Sequence, residues 1–223
     1  MRTIIKALFV TVCLGVLGSL QAGVIVIGVP GAGDSNSFPF GSNVDAGTVY
    51  QQVYASSSFS GPITISDIVF YNSYSPGGSF RSGDYTLSLS TTSKLVDGLD
   101  TVNFASNLGP DNQLFWSGPL SGPAPAPEVV FLGAPFGYNP ALGNLLLDLR
   151  VSNGGPDTLL SLDAYSGNAG GLFSRAHNFG GGFEGYGLVT GFSYGEAGIP
   201  EPATLSLLGL GLAALAFLRR GRK

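Results

Sequence analysis

The side chains that could carry acid–base or nucleophilic chemistry are few and scattered in this sequence. His177 is the sole histidine, and it follows Ser174 by three positions. A serine, a histidine and an acid that converge in space would support acyl transfer, but no Gly-x-Ser-x-Gly nucleophile elbow occurs. We therefore interpret His177 as a plain loop or edge residue and expect no catalytic residues.

Two further motifs could bind ligands. Asp97-Gly98-Leu99-Asp100 could offer carboxylate oxygens to Ca²⁺, but it does not continue into the EF-hand pattern, and a turn explains it better. Gly180-Gly181-Gly182 lacks the strand-to-helix context of a phosphate loop and predicts a flexible loop. Carboxylate pairs for glycoside cleavage are recognised only by distance. The sequence thus predicts no metal and no cofactor.

The segment that organises the chain is its C-terminal one, residues 199–223. Pro200, Glu201 and Pro202 precede an uncharged, almost wholly apolar run over residues 203–218, and the chain closes on the cations Arg219, Arg220, Arg222 and Lys223. As a helix, the apolar run would extend roughly 24 Å, slightly less than the hydrocarbon core of a bilayer. We predict a single transmembrane helix with a basic stop at 219–223. The alternatives are a plain tail anchor and a buried core helix.

This tripartite segment resembles a PEP-CTERM sorting signal. The resemblance rests on Pro200-Glu201-Pro202-Ala203-Thr204, the Leu/Gly/Ala run and the Arg-Arg-Gly-Arg-Lys end. It implies that an exosortase, a membrane-embedded transpeptidase-like cysteine enzyme, is the partner and cleaves near the motif. The catalytic groups would then belong to the exosortase, and this chain would be its substrate. The sorting motif would be Pro200, Glu201 and Pro202, and the terminal cations would be the membrane stop.

Residues 1–22 have the pattern of a secretory signal peptide. Arg2 and Lys6 precede an apolar run, and Leu20-Gln21-Ala22 approximates a cleavage site, which places the cut between Ala22 and Gly23. The predicted partners are the Sec translocon, signal peptidase and the membrane. The precursor is expected in the cytoplasmic membrane and the product in the cell envelope or outside the cell. A retained N-terminal anchor is the alternative.

Cysteine and charge usage exclude several classes of site. The only cysteine, Cys13, lies within the predicted signal peptide, so the mature chain would have no disulfide, thiolate zinc site or cysteine nucleophile. Between residues 23 and 198, four cations and thirteen acids give a formal net charge of −9. Without a basic cluster, nucleic acid is not expected as a partner.

Residues 23–198 form the body of the chain, and its pattern is that of strands. The clearest runs from Tyr85 to Ser90, where apolar and polar side chains alternate with a period of two. Similar short runs between Gly, Pro and Asn turns predict an all-β antiparallel sandwich or jelly roll. The expected core includes Ile65, Tyr85, Leu87, Leu89 and Leu147.

Two segments of the body depart from the strand pattern. The Pro-rich segment 118–127 is too stiff and too poor in donors for a central strand. We interpret it as a surface connection between two sheet halves rather than an interdomain linker. Residues 93–99 are the only candidate within the body for a short helical turn.

Two functions remain open for the body. The first is a non-enzymatic protein of the cell envelope or extracellular matrix, associated with exopolysaccharide or biofilm. The second is a carbohydrate-binding or carbohydrate-cleaving jelly roll on the same sorting signal. Aromatic side chains near acids could stack on sugar rings, although a place in the core explains them better. These aromatic residues are Tyr165, Phe173, Phe183 and Tyr186.

Overall fold

The structure is a computed structural model that describes residues 22–32, 34–43, 45–166, 171–179 and 182–196. Within these ranges the regular elements are strands, apart from three 3-10 turns at Ser56–Ser58, Phe104–Asn107 and Pro140–Leu142. The strands are β1 (Ala22–Ile27), β2 (Asp34–Asn36), β3 (Thr48–Tyr54), β4 (Ile63–Tyr71), β5 (Ser79–Thr92), β6 (Gln113–Pro123), β7 (Glu128–Tyr138), β8 (Asn144–Ser152), β9 (Leu162–Ser166), β10 (Phe173–His177), β11 (Gly182–Glu184), β12 (Tyr186–Leu188) and β13 (Thr190–Glu196).

The strands form three sheets, all with antiparallel pairing. One sheet has the order β1-β13-β4-β7, a second has the order β11-β10-β3-β8-β5-β6, and a small third has the order β12-β9-β2. The prediction of an all-β antiparallel body is confirmed. Eight strands in the orders 1-13-4-7 and 3-8-5-6 divide between the two large sheets as the strands of a jelly roll do, with β10 and β11 added beside β3.

The two large sheets share one aromatic core. Phe40 stacks between Tyr85 of β5 and Phe131 of β7, with ring centroids 5.7 and 5.8 Å apart. Tyr54 of β3 meets Phe192 of β13 edge-on at 5.0 Å. All five predicted core residues, Ile65, Tyr85, Leu87, Leu89 and Leu147, are buried.

A second, smaller cluster covers the outer face of the six-stranded sheet. There the segment between β5 and β6 folds back, so that Leu99 packs with Val53, Leu146 and Ala176. The same segment covers Ser90, whose hydroxyl accepts a hydrogen bond from the Gly109 N–H at 3.2 Å. The polar face of β5 is therefore partly covered, although its alternation predicts a wet face.

The segment over residues 93–99 is not helical, so that prediction is wrong. Its Gly98 N–H donates to the Leu95 carbonyl, which closes a β-turn. Asp97 within the turn has a φ of 65°, and this left-handed conformation ends any right-handed helix.

The Pro-rich segment is a connection only in its second half. Residues 118–123 extend β6, which pairs with β5 alone. Proline is tolerated on such an edge strand because the outward side of the backbone needs no ladder donor. Residues 124–127 then carry the chain from the six-stranded sheet to β7 of the four-stranded sheet.

Candidate functional site

His177 lies inside the sheet and not in a loop or at an edge, which corrects the prediction. It belongs to β10, which runs between β3 and β11, and all five β10 residues are buried. The centroid of the imidazole ring lies 5.2 Å from that of the Phe38 ring, which belongs to the core between the two large sheets. Ser174 points to the opposite face, where its hydroxyl accepts from the Asp97 N–H at 2.7 Å. Residues three apart on a strand face opposite sides, so these two side chains form no catalytic pair.

Asp100 organises a turn, as the sequence predicts. One carboxylate oxygen accepts from the N–H groups of Asn103 and Val102, and the other accepts from the Ser106 hydroxyl. These donors, Asn103 foremost, hold the pKa of the Asp100 carboxyl below its usual value. Among the residues described here, no three His, Cys, Asp or Glu side chains gather closely enough to hold a metal ion.

A buried polar centre on β3 and β10 was not predicted from the sequence. The Gln52 side-chain amide donates to the Leu188 carbonyl at 2.9 Å and accepts from the Leu188 N–H at 2.9 Å. The Tyr50 hydroxyl donates to the same Gln52 oxygen, and burial raises the pKa of Tyr50 to about 12. The Arg175 guanidinium lies 4.4 Å from the centroid of the Tyr186 ring. Together these contacts fasten the small sheet to the six-stranded one.

The aromatic residues considered for sugar stacking do not form one exposed platform. Phe173 is buried in the core, 6.4 Å from the ring of Tyr165. Tyr186 is half-buried beneath Arg175, and its hydroxyl donates to the Ser35 carbonyl. Phe183 belongs to β11, and its side chain lies outside the described set. The core interpretation therefore holds for Phe173.

The two ends of the body lie side by side in the four-stranded sheet. Ala22 and Gly23, the residues at the predicted signal cleavage, begin β1 and pair with Gly195 and Tyr194 of β13. The last residue of β13, Glu196, pairs with Ile63 of β4. Only residues 197–199 separate β13 from the Pro-Glu-Pro motif. The last strand and the motif are thus almost adjacent in the sequence.

The sorting residues themselves lie outside the described part of the chain. They are Pro200, Glu201, Pro202, Arg219, Arg220, Arg222 and Lys223. Residues 1–21 of the predicted signal peptide and the predicted transmembrane helix at 203–218 also lie outside it. Within the described ranges, the structure contains no helix with the length and apolar character needed to cross a membrane.

A scan against protein-family models matches residues 198–223 to the PEP-CTERM protein-sorting motif. The chain carries a PEP-CTERM sorting domain. The match covers the Pro-Glu-Pro motif, the apolar run and the basic end together, so the resemblance seen in the sequence is confirmed. The PEP-CTERM signal implies export, a membrane-anchored precursor and an exosortase as processing partner.

The PEP-CTERM match does not extend into the strands. Neither the curated proteins nor the solved structures include a significant match to the chain. The family match therefore identifies the sorting signal, and the body is characterised by its structure alone.

Proposed function

We propose that the protein is an exported, non-enzymatic component of the cell envelope or extracellular matrix, and that an exosortase processes it at Pro200-Glu201-Pro202. The observation that carries this proposal is the PEP-CTERM match at residues 198–223, which begins directly after the last strand of a folded body. Signal peptidase would first free the N-terminus between Ala22 and Gly23 after passage through the Sec translocon.

The physical properties of the tail account for how it would act. Cations tend to remain on the cytoplasmic side, so the four terminal cations would hold the end of the chain there while the body lies outside. The motif would then lie at the outer membrane–water boundary with Glu201 solvated. Each proline disfavours the α conformation of the residue before it, so the motif would stay extended. An extended segment is the form that a protease or transpeptidase cleft binds.

The body supports a non-enzymatic role because its candidate chemical groups are engaged in internal contacts. His177 packs against Phe38, and the Ser174 hydroxyl accepts a hydrogen bond from the Asp97 N–H. The Asp100 carboxylate accepts three local hydrogen bonds. The acidic body, which carries a formal net charge of −9 between residues 23 and 198, would stay soluble in a hydrated polysaccharide matrix.

A second candidate function is carbohydrate binding or cleavage by the body. The observation that favours it is the jelly-roll-like strand order of the two large sheets, since this architecture also serves lectins. A glycan array probed with the mature body separates the two candidates. Binding of the body to a defined glycan would favour the second.

The proposed processing is tested with a pair of matched variants. Glu201→Ala removes the acid between the two prolines, and Glu128→Ala removes an exposed acid at the start of β7, far from the motif in the sequence. Both are expressed with and without the exosortase, and membrane and released fractions are compared by mass. Only Glu201→Ala should lose the exosortase-dependent mass shift. Equal release of wild type and Glu201→Ala in both strains would show that the C-terminal segment is a plain anchor and not a sorting signal.

A further inference from the structure

The last strand of the body is held on both sides close to the sorting motif. Tyr194 pairs with Gly23 of β1 and with Ile65 of β4, and Gly195 pairs with Thr64 of β4; Ala22, the β1 partner of Gly195, would leave with the signal peptide. From Glu196 to Pro200 the chain makes four residue steps, which span at most roughly 13 Å when fully extended. A cleft that grips several residues before the motif would therefore meet backbone that is already paired within the sheet.

The sheet is irregular just before this point. The register between β13 and β4 shifts between Ser193 and Tyr194, and the register between β4 and β7 shifts between Ile65 and Asp67. Ser66 lies at both shifts. Such irregularities interrupt the ladder and bend the strand. The pairing of Tyr194–Glu196 with β4 is therefore separated from that of the preceding residues, while the pairing of β13 with β1 continues without a shift; we call these three residues the β13 tip.

The β13 tip contributes less to the core than the strand before it. Phe192 is fully buried, and its ring packs against Tyr54. Beyond the irregularity, the Tyr194 side chain is only half-buried and Gly195 has no side chain. Opening the tip would expose one half-buried ring, whereas opening the strand past Phe192 would expose the core. The structure therefore has a natural point at which fraying would stop.

We propose that the β13 tip leaves the sheet when the exosortase takes the motif, so that Tyr194–Glu196 becomes part of the extended segment that the enzyme binds. This inference rests on the proposed function. Extended peptides bind clefts through their backbone groups, and those of the tip become available only when it separates from β1 and β4. Release lengthens the free chain before Pro200 to seven residue steps from Ser193, up to roughly 23 Å.

A disulfide lock tests this release. Thr64→Cys with Gly195→Cys joins paired residues of β4 and the tip, in a chain whose only cysteine is changed by Cys13→Ser. Ile63→Cys with Glu196→Cys provides a second lock at the neighbouring pair. The matched control is Val24→Cys with Ser193→Cys, which joins β1 to β13 on the other side of the irregularity. Each full-length chain is incubated with exosortase-containing membranes, oxidised or reduced, and intact mass confirms each cross-link.

We expect the oxidised tip locks to be processed at least tenfold more slowly than their reduced forms, while oxidation leaves the control unchanged. Inserting six Gly/Ser residues after Glu196 should restore processing of the oxidised locks, because the inserted chain supplies the slack. Equal rates for the oxidised and reduced locks overturn the inference, and so does slow processing that the insertion does not restore. If wild type is shortened equally by membranes without exosortase, the proposed function itself fails, whatever the locks do.

Discussion

The ring of Tyr194 lies against the backbone of Gly23. A Cβ on Gly23 would lie 2.8 Å from Cζ and from the hydroxyl oxygen of Tyr194. An aromatic ring that covers a cross-strand glycine replaces the packing that the glycine lacks. Among the described strands β1 pairs with β13 alone, so the first strand of the body gains its partner only once the last strand is in place.

Removing the Tyr194 ring should weaken the fold only slightly. Tyr194→Ala loses a half-buried side chain, which we expect to cost about 1 kcal/mol of unfolding free energy. Phe192→Ala, two residues earlier in the buried part of β13, should cost about 3–5 kcal/mol. Urea unfolding of the mature body measures both. Equal losses for the two variants would show that the β13 tip is as firmly held as the rest of the strand.

Leu87 should be a principal core residue. Its side chain is buried between the sheets, so Leu87→Ala is expected to cost about 2–5 kcal/mol. Leu132→Ala is the control, because Leu132 is 73% exposed and should change stability by no more than about 0.5 kcal/mol. A loss below that limit for Leu87→Ala would contradict the described core.

The Gln52 amide should be a stabilising contact of the polar centre. Gln52→Leu removes both hydrogen bonds to Leu188 and leaves the buried Tyr50 hydroxyl without the oxygen to which it donates; a buried polar group left unsatisfied costs about 1–3 kcal/mol. We expect a loss of at least about 2 kcal/mol in thermal or urea unfolding. Gln113→Leu on the exposed edge strand is the control. A Gln52→Leu variant as stable as this control would show that the Gln52 hydrogen bonds do not stabilise the fold.

Stability should fall at alkaline pH. Burial raises the pKa of Tyr50 and of Tyr85 from 10.0 to about 12. In the unfolded chain these hydroxyls ionise near pH 10, whereas the folded chain keeps them neutral. Their contribution is therefore complete below pH 10 and is lost as pH rises toward 12. Urea unfolding across this range should show a falling unfolding free energy, and a flat profile would contradict the burial of both rings.

Local alternation was enough to predict several strands and much of the core, but not β2, β10 or β11. Tyr85, Leu87 and Leu89 face inward because a strand with a period of two needs only its own sequence to define a face. The length of β7 was harder to predict, since Pro135 and two glycines interrupt its pattern before Tyr138. An edge strand tolerates such residues, and edge position depends on distant pairing.

The polar centre could not be predicted because its partners are distant in sequence. Gln51 and Gln52 are adjacent and both buried, yet they point to opposite faces. Gln51 donates to Asp148, and Gln52 binds Leu188. The only local signal is a pair of glutamines between β-forming residues in Thr48–Tyr54. The position of His177 was predicted wrongly for the same reason, because β10 is an interior strand only through its pairing with β11 and with β3, more than a hundred residues earlier.

The intact mass of the released body tests the central claim most directly. The protein is expressed in strains with and without the exosortase, and the released and membrane fractions are analysed by mass spectrometry. We predict a released species that begins at Gly23 and ends at or near Pro200–Pro202, without the apolar run and the basic end, only where the exosortase is present. A released species of the same mass in both strains, or one that still ends at Lys223, would contradict the account.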